Sequence, residues 1–596
     1  MIYVGLLCLN STSDKTAELT DALQSFSQTP PLVIKKESLI LCYGKLSNIL
    51  DLDEVWENES SVLIGRVFDR AKQCSLRKKD FKNLTDLPKE KALENVWGKY
   101  VYIHENKQSS RFEVVLDSTG QLPFFYYPLL DGSILFSSNI EIIFKALSQK
   151  PEFNWTYLCS YLIYGNSSSI ETPFKNIYEL PPACSLAITK NERKTAPFWN
   201  PLHSYKNPDI KGRNAVDVLN ATLNPWIEPY QNIYVSLSGG LDSSSLLYCL
   251  KDLVKEDQAL KAINYFHSQV KSSNEYDHAR KVCEETGVEL IGIDVSNSLP
   301  FDPSQYKEPL KPNKPFPEFI STRWAETIFE HLPAHQSFTF VSGHGSDHIF
   351  MRPPSKRSVS DYILEQGFKE SKRQFQGIAQ FYRDPLLSIL KENFKSLLTH
   401  SLGIKKERRK IREKHKNMPA WVKQEVMQIA SSSISHPIYN YLSKKILPGK
   451  YHQLDLLYEG LASIHIEIMN QSDPTYFPFF YEPVVEFALS FPTYELFKKG
   501  YDRYPLRKAI SDHFKTETVW RRDKSQTTGL IQLGIKKNLK DILEISCEGH
   551  FVKQGLIEKE GLHRTITLIG NGDTNFMWPF THLVSLEMFL RYWDEL

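Results

Sequence analysis

The chain has 596 residues, 41% of them hydrophobic and 24% charged, and its formal net charge is +2. This length allows two or more domains with sizeable cores, and the balanced charge gives no reason to expect nucleic acid as a partner. No apolar run approaches the roughly 20 residues of a membrane span, so we expect no membrane partner either. The eight cysteines are scattered singly, without zinc-ligand spacing, which is typical of reduced thiols in a cytoplasmic protein.

The first part of the chain has the pattern of β-structure. Segments such as RFEVVLDSTG, LPFFYYPLL and SILFSSNI combine β-branched and aromatic residues, and Gly, Pro, Asp and Ser turn signals separate them. This pattern ends in the stretch PFWNPLHSYKNPDIKG, whose Pro, Asn and charged residues are typical of a linker. We therefore predict a β-rich domain over residues 1–205.

From about Asn214 the pattern changes to strands that alternate with helices. IYVSL, LKAINYF, VELIGIDV and FTFV read as strands, and the final third of the chain is largely helical by pattern. Alternation of this kind predicts an α/β fold with a doubly wound parallel sheet, whose ligands lie beyond the C-terminal strand ends. We assign this second domain, with its helical additions, to residues 214–596.

One strand-to-helix turn, in YVSLSGGLDSSSLLYCL, carries the first functional signal. Two glycines allow a tight turn and close approach of a ligand to the backbone, and the helix that follows presents backbone N–H groups beside several hydroxyls. Such a turn predicts a phosphate site formed by Ser238, Gly239, Gly240, Asp242, Ser243 and Ser244. The lysine of a P-loop is missing, and an aspartate beside phosphates implies Mg²⁺ bound by Asp242.

This turn resembles the SGGxDS pyrophosphate loop of ATP pyrophosphatases of the asparagine synthetase type. The resemblance implies that ATP is cleaved to AMP and pyrophosphate while a carboxylate is activated as an acyl-adenylate. A second segment, FVSGHGSDHIF, is similar to the SGxGxD element of that family. It implies that Ser342 and Gly343 bind the nucleotide and that Asp347 joins Asp242 on the metal. Because both segments follow apolar strands, we expect them at neighbouring strand ends.

The N-terminal part resembles the Ntn-type glutaminase domain of asparagine synthetases in the stretch VWGKYVYIHENKQSSRFEVVLDSTGQLPFFYY, with Asp117, Gly120 and Pro123 at the turn positions. That glutaminase needs a cysteine directly after the initiator Met, because the α-amine of this residue is the base for its own thiol. Here the residue is Ile2, and the internal Cys8 is expected in the core. The resemblance therefore implies a degenerate domain without amidase activity.

A family member that makes no ammonia needs another nucleophile, and a substrate amine is the natural candidate. Two branches fit: β-lactam synthetases, and lasso-peptide cyclases, which join the N-terminal amine of a peptide to an Asp or Glu side chain. The C-terminal sequence is similar to that of the cyclases, with His348 at the position where asparagine synthetases carry the Glu of a DE pair. Later elements shared with the cyclases contain Pro478, Pro483, Glu486, Gly500, Asp502, Arg503 and Arg507. The segment PFFYEP differs from the PLLSQP-like sequence that is commoner in the cyclases, so the resemblance does not define the selectivity of the acceptor pocket.

The resemblance thus implies an AMP-forming ligase, dependent on ATP and Mg²⁺, that closes a macrolactam ring in a leader-free precursor peptide. It also implies a leader-binding protein and a leader peptidase as partners. An asparagine synthetase that uses free ammonia, or a β-lactam-forming enzyme, is the alternative within the family. A catalytically dead scaffold that binds nucleotide or peptide is the alternative from another class, and the intact Ser238, Asp242, Asp347 and Lys524 argue against it.

The same resemblance implies three catalytic side chains. His344 stands where relatives carry a residue assigned to deprotonation, and a histidine suits an α-amine chemically; a role that only shapes the loop is the equal alternative. Lys524, in RRDKSQTTG, matches the lysine that stabilises the adenylate and the oxyanion. Glu275, in SSNEYDHARKV, matches the Glu of an acidic pair whose Asp is replaced by Asn274, and we expect a supporting role for it.

Residues 370–450 have little counterpart in asparagine synthetases. We expect a helical insertion that covers a larger acceptor pocket. It contains the basic run KKERRKIREKHK, Lys405 to Lys416, in which Glu407 and Glu413 indicate a solvated helix. The alternative is a run that guides an acidic segment of a peptide or partner.

Overall fold

A computed structural model describes residues 1–9, 15–45, 52–85, 95–166, 168–302, 311–321, 327, 330–332, 338–402, 418–430, 434–443, 445–467, 475–523 and 528–594. The N-terminal part is built on two antiparallel sheets and the C-terminal part on one parallel sheet. Within these ranges, no helix combines the length and the hydropathy that crossing a membrane requires.

The two N-terminal sheets are each a ladder of antiparallel strands. The first runs, in spatial order, through β11 (Tyr178–Glu179), β9 (Phe125–Pro128), β10 (Ile134–Ser137), β1 (Ile2–Leu7), β3 (Leu39–Gly44) and β2 (Leu32–Lys35). The second runs through β13 (Arg193–Pro197), β12 (Cys184–Ile188), β8 (Arg111–Leu116), β7 (Val96–Asn106), β5 (Ser61–Asp69) and β4 (Glu54–Glu57), and β6 (Cys74–Ser75) also pairs with β5.

Strand β1 shows why this part forms layers. All six of its residues are buried, because successive residues of a strand point to opposite faces and both faces are covered. Tyr3 and Leu7 belong to the core between the two sheets. Ile2 and Leu6 belong to a core on the other face, formed with the helices Thr16–Gln24, Ile140–Leu147 and Trp155–Tyr164. Cys8 lies in the same core, as the sequence predicted.

The C-terminal sheet has the spatial order β16 (Glu289–Asp294), β15 (Ala259–Phe266), β14 (Asn232–Ser236), β17 (Phe338–Val341) and β18 (Thr475–Tyr476). Every pairing in it is parallel. Alternate residues of β14 enter different cores, Ile233 and Val235 on one face and Tyr234 on the other, so both faces are buried. The chain order reverses between β14 and β17, and such a reversal is where doubly wound sheets bind their ligands.

Helices surround this sheet and extend beyond it. Those nearest the site are Ala215–Ile227 before β14, Leu241–Leu253 after β14, Tyr276–Thr286 after β15 and Ser346–Ile349 after β17. Among the residues that the structure describes, the other α-helices are Lys78–Thr85, Pro208–Lys211, Ser358–Gln366, Ser371–Tyr382, Leu386–Ser401, Gln424–Ile429, Pro448–Glu467, Glu482–Ser490, Tyr504–Phe514, Thr528–Lys537, Leu539–Cys547, His550–Lys553, Lys559–Gly570 and Met577–Asp594.

The described residues of the 370–450 segment include the helices Ser371–Tyr382, Leu386–Ser401 and Gln424–Ile429. Its basic run, residues 405–416, lies outside the described residues.

The last helix, Met577–Asp594, packs back onto the N-terminal part. The ring of Trp593 lies 4.5 Å from that of Phe174 and 5.7 Å from that of Phe144, centroid to centroid. Both phenylalanines belong to the core beside the first sheet. The C-terminal helices and the N-terminal part therefore share one hydrophobic core.

Candidate active site

Two loops meet at the point where the strand order reverses. One follows β14 and the other follows β17, and these strands are hydrogen-bonded neighbours. A Cβ added to Gly343 would lie 2.8 Å from the backbone nitrogen of Ser243, so the loops are in direct contact. Gly239 has a φ of +66°, and a Cβ there would lie 2.5 Å from the backbone of His278. Close packing thus requires glycine at both positions, and the positive φ favours it at Gly239 as well.

The first loop ends at the N-terminus of the 13-residue helix Leu241–Leu253. The Ser243 hydroxyl accepts from the Ser238 backbone N–H at 3.2 Å, and the Ser238 hydroxyl accepts from the Gly240 N–H at 3.3 Å. The buried hydroxyl of Ser244 has no hydrogen-bond partner among the described atoms. Free N–H groups at a helix N-terminus and an unpaired hydroxyl together suit an anion such as a phosphate.

The two predicted metal ligands are held together by one arginine. Arg503 Nη1 donates to Asp242 Oδ1 and Oδ2 at 2.5 and 2.6 Å, and it also donates to Asp347 Oδ1. The Arg503 side chain has no exposed surface. Burial alone lowers its pKa, but the surrounding carboxylates, Asp242 above all, raise the pKa above its usual range and keep the group charged.

A second layer of charge surrounds this arginine. Asp502 Oδ1 accepts from Arg507 Nη2 at 2.7 Å and lies 3.4 Å from Arg503 Nε, while Asp502 Oδ2 lies 3.8 Å from Arg352 Nε. Burial favours the neutral form of Asp502, but Arg503 and Arg507 outweigh it and lower the pKa. The three carboxylates and three guanidinium groups that these contacts join carry no net formal charge.

The acidic pair fits the magnesium that the sequence implies. Both carboxylates converge on one cationic nitrogen, so a single positive centre can contact both. Among the described residues, no group of three His, Cys, Asp or Glu side chains could hold a metal by itself, so an ion held by this pair would need further ligands. Mg²⁺ is commonly bound by one or two carboxylates together with phosphates and water. Asp242 and Asp347 are therefore the residues that would hold it.

His344 lies in an aromatic pocket next to these loops. Its Nε2 lies 2.9 Å from the Ser463 hydroxyl, which itself donates to the Gly460 carbonyl at 2.6 Å. The ring of Phe480 lies 5.4 Å away and that of His348 lies 5.3 Å away. Because the Ser463 proton is already donated, its oxygen accepts from Nε2–H, which places the basic lone pair of His344 on Nδ1.

His348 shares the pocket but is less able to take up a proton. Burial lowers its pKa, and this outweighs the opposing effects of Glu459 and Asp347. Its Nδ1 is buried without a hydrogen-bond partner among the described residues. At neutral pH, His348 is therefore a neutral neighbour of His344.

Of the two other predicted catalytic residues, Glu275 and Lys524, the structure describes only Glu275. Glu275 Oε1 accepts from Arg521 Nη2 at 2.5 Å, and both side chains are largely buried. Asn274, at the position of the missing Asp, accepts from the Tyr276 backbone N–H at 2.9 Å and so acts as a local turn cap. Lys524 lies outside the described residues.

The segment around PFFYEP contacts the N-terminal part. The Tyr481 hydroxyl donates to Gln121 Oε1 at 2.6 Å. Glu486 accepts from Arg70 Nη1 at 2.8 Å and from Trp199 Nε1 at 3.1 Å. Glu486, whose place in this element was noted from the sequence, is thus a contact between the two parts of the chain.

The comparisons with known proteins agree with this architecture. The family model of asparagine synthase matches residues 231–591, which is more than half of the chain. The chain belongs to the asparagine synthase family. A glutamine amidotransferase domain model matches residues 85–199 of this family member. The expected fold, an Ntn-type glutaminase-like part followed by a parallel-sheet synthase part, is confirmed.

One curated relative is the microcin J25-processing protein McjC of Escherichia coli. It is 23% identical over 337 residues, which cover 56% of this chain and 55% of McjC, so the match spans about half of that relative. Two solved structures also align, with identities of 10% and 12% and a TM-score of 0.22 each. The first is an allosteric regulatory enzyme of purine biosynthesis, and the alignment covers 50% of this chain and 81% of that enzyme. The second is the glutamine phosphoribosylpyrophosphate amidotransferase of B. subtilis complexed with ADP and GMP, and the alignment covers 62% of this chain and 79% of that enzyme. With TM-scores of 0.22, these two similarities support no conclusion about this chain.

In this asparagine synthase family member, the structure brings most of the predicted site residues together. The two loops that the sequence predicts to bind nucleotide, the acidic pair and His344 lie around the strand-order reversal. Two arginines that contact the predicted site residues were not singled out for this from the sequence. Arg503 was noted only as part of a family element, and Arg521 only as a letter of RRDKSQTTG, because neither contact can be read from local sequence.

Proposed function

We propose that the chain is an ATP-dependent amide ligase of the lasso-cyclase type. In this proposal it adenylates an Asp or Glu side chain of a leader-free precursor peptide and joins it to the peptide's N-terminal amine. The observation that supports the proposal is the meeting of two glycine-containing loops and the carboxylates of Asp242 and Asp347 at the strand-order reversal, beside a glutaminase-like part in which four of the five cysteines are buried. The name of McjC, a microcin-processing protein, supports a peptide substrate.

The thiols of the N-terminal part support a nucleophile other than glutamine-derived ammonia. Burial raises the pKa of Cys8 and Cys42, and raises that of Cys159 to about 12. Burial also raises the pKa of Cys184 well above its usual range. A thiol that stays protonated is a poor nucleophile. The remaining thiol among the described N-terminal residues, Cys74, is exposed in the short strand β6.

The first step activates the acceptor carboxylate. Its oxygen attacks the α-phosphorus of ATP, and pyrophosphate departs into the Ser238–Ser244 loop, whose N–H and hydroxyl donors suit it. Asp242 and Asp347 would hold Mg²⁺, which when bound offsets the negative charge of the phosphates. Lys524 is proposed to stabilise the adenylate, and Glu275 is proposed to help through Arg521, which it holds at 2.5 Å.

The second step forms the amide. The peptide amine attacks the acyl carbon, AMP leaves, and the surplus proton of the amine must be accepted. We propose that His344, whose Nε2 lies 2.9 Å from the Ser463 hydroxyl, accepts this proton. We propose a leader-binding protein and a leader peptidase as the partners that supply the peptide, and we place this ATP-consuming reaction in the cytoplasm.

An asparagine synthetase that uses free ammonia is the second candidate, and the match of the asparagine synthase family model favours it. The purified chain should be incubated with ATP, Mg²⁺ and leader-free candidate peptides, and in parallel with aspartate and ammonia. The proposal expects AMP together with a peptide lighter by one water. Asparagine without peptide cyclisation would contradict it.

Two variants test the site itself. Asp242→Asn and Asp347→Asn keep the side-chain size but each remove a charged metal ligand, so both should abolish AMP formation. Asp277→Asn is the matched control, because Asp277 lies on a nearby helix with an 83% exposed side chain. Normal turnover by either site variant would refute the metal assignment.

A further inference from the structure

Arg503 combines features that a purely structural arginine does not need. Its side chain is fully buried, yet Nη2 has no hydrogen-bond partner among the described atoms. Its backbone has a φ of +50°, a conformation that is uncommon for residues other than glycine and that persists where the surrounding structure imposes it. The backbone thus directs this guanidinium between Asp242 and Asp347 at a local conformational cost.

Arg503 Nη1 occupies the space between the two carboxylates that would hold a divalent ion. It lies 2.5 Å from Asp242 Oδ1 and contacts Asp347 Oδ1 as well. A divalent ion that binds both carboxylates must therefore displace this nitrogen or weaken its contacts. Since the cluster that includes Asp502, Arg507 and Arg352 already balances its charge, an ion that arrives alone would leave buried positive charge uncompensated.

A bound nucleotide would compensate the positive charge that the ion adds to the buried cluster. Its triphosphate brings negative charge together with the ion, and it offers acceptor oxygens to Nη2, whose donors are unused. Guanidinium groups bind phosphate well because their donors form a planar fork. Arg503 can therefore turn from the carboxylates to the phosphates when both ligands are present.

We propose that Arg503 is an internal counter-ion that holds the place of the divalent ion between Asp242 and Asp347 and makes binding of the ion depend on binding of nucleotide. The proposal rests on the proposed function, since it takes the nucleotide to bind at these loops. By linkage, the ion and the nucleotide then raise each other's affinity by the same factor. Arg503 is a positioning residue in this account.

The test is Mn²⁺ binding in the absence of nucleotide, measured by electron paramagnetic resonance on the purified full chain. Arg503→Met removes the charge but keeps an unbranched side chain, and it should bind Mn²⁺ at least about tenfold more tightly than the parent. Arg503→Lys keeps the charge and should bind Mn²⁺ weakly, like the parent. Mn²⁺ should also raise the unfolding temperature of Arg503→Met more than that of the parent.

Arg507→Met is the matched control. It removes one charge from the same cluster, but Arg507 contacts Asp502 and the backbone at Asp502, Val519 and Arg521. Mn²⁺ affinity should rise much less in this variant than in Arg503→Met. An equal rise in both variants, or no rise in Arg503→Met, would overturn the proposal, because the effect would then be general or absent.

The parent chain provides a test that needs no variant, in case Arg503→Met does not fold. Mn²⁺ should bind the parent at least about tenfold more tightly with a non-hydrolysable ATP analogue than without it. Equal affinity with and without a bound analogue would overturn the counter-ion role. Failure of the analogue to bind at all would instead refute the proposed function, and tighter Mn²⁺ binding by Arg503→Met would still support the counter-ion role.

Discussion

Arg70 ties the glutaminase-like part to the synthase part, and its removal should destabilise the whole chain. Nη2 lies 2.8 Å from Glu482 Oε2 and Nη1 lies 2.8 Å from Glu486 Oε2. The Glu482 side chain is only 3% exposed. Burial raises the pKa of Glu482 to about 7, although Arg70 opposes this rise. Arg70→Met would leave the Glu482 carboxylate without its cation.

The expected loss in the free energy of unfolding follows from the burial of Glu482. Removing one partner of a buried ion pair costs about 3–5 kcal/mol. Because the Arg70 side chain is 27% exposed, solvent screens part of the interaction, and we expect the lower end, about 3 kcal/mol. Most of this cost arises from the ionised Glu482, so it should depend on pH.

The sign of the pH dependence is fixed by the raised pKa. Folded Glu482 binds a proton more readily than the unfolded residue, so its contribution to stability is present at low pH and is lost as pH rises through about 7. Without Arg70 the pKa rises further. The destabilisation by Arg70→Met should therefore be larger at about pH 8 than at about pH 5.5, where Glu482 is already protonated.

Urea unfolding at the two pH values, followed by tryptophan fluorescence, measures this loss. Arg111→Met is the matched control: Arg111 lines the same cavity as Arg70, of about 690 Å³, but its side chain is 46% exposed and lies 4.0 Å from Glu113. The control should change the free energy of unfolding by less than about 0.5 kcal/mol. A loss below about 1 kcal/mol for Arg70→Met, or one equal at both pH values, would refute the reasoning.

Three further predictions concern catalysis and stability. Lys524→Ala should lower kcat for cyclisation about a hundredfold to a thousandfold at saturating ATP, and Lys524→Arg should rescue little; a loss below about tenfold would place Lys524 outside the chemistry. Burial lowers the pKa of His436 to about 3, so unfolding takes up a proton and stability should fall as pH drops from about 6.5 toward 3; urea titrations of His436→Gln should show a flatter profile, and an unchanged slope would contradict this. Glutamine hydrolysis should be absent, and glutamate release above that of a heat-inactivated control would refute this.

The sequence was sufficient for features that depend on local pattern. Glycines and hydroxyls between a strand and a helix marked the two loops that are proposed to bind nucleotide, and the alternation of strands with helices predicted the parallel sheet that brings these loops together. These signals are contained within short segments such as Ser238–Ser244, so no long-range information was needed.

The missed features depend on contacts between distant parts of the chain. Arg503 meets Asp242 across 261 positions, and Arg70 meets Glu486 across 416. Nor does the sequence of the helix Met577–Asp594 reveal that Trp593 packs on Phe174 of the N-terminal part. A buried arginine and an exposed one have the same local sequence signal, so the counter-ion could be assigned only from the structure.

The central claim is that this chain couples ATP cleavage to AMP with ring closure in a peptide. The direct measurement is the ratio of AMP formed to cyclised peptide formed, by chromatography and mass spectrometry, with the purified chain, ATP, Mg²⁺ and a leader-free peptide. The account predicts one AMP for each peptide that loses one water, and no product with a peptide whose acceptor Asp or Glu is amidated. Cyclisation of that amidated peptide, or ring closure without AMP, would contradict the account.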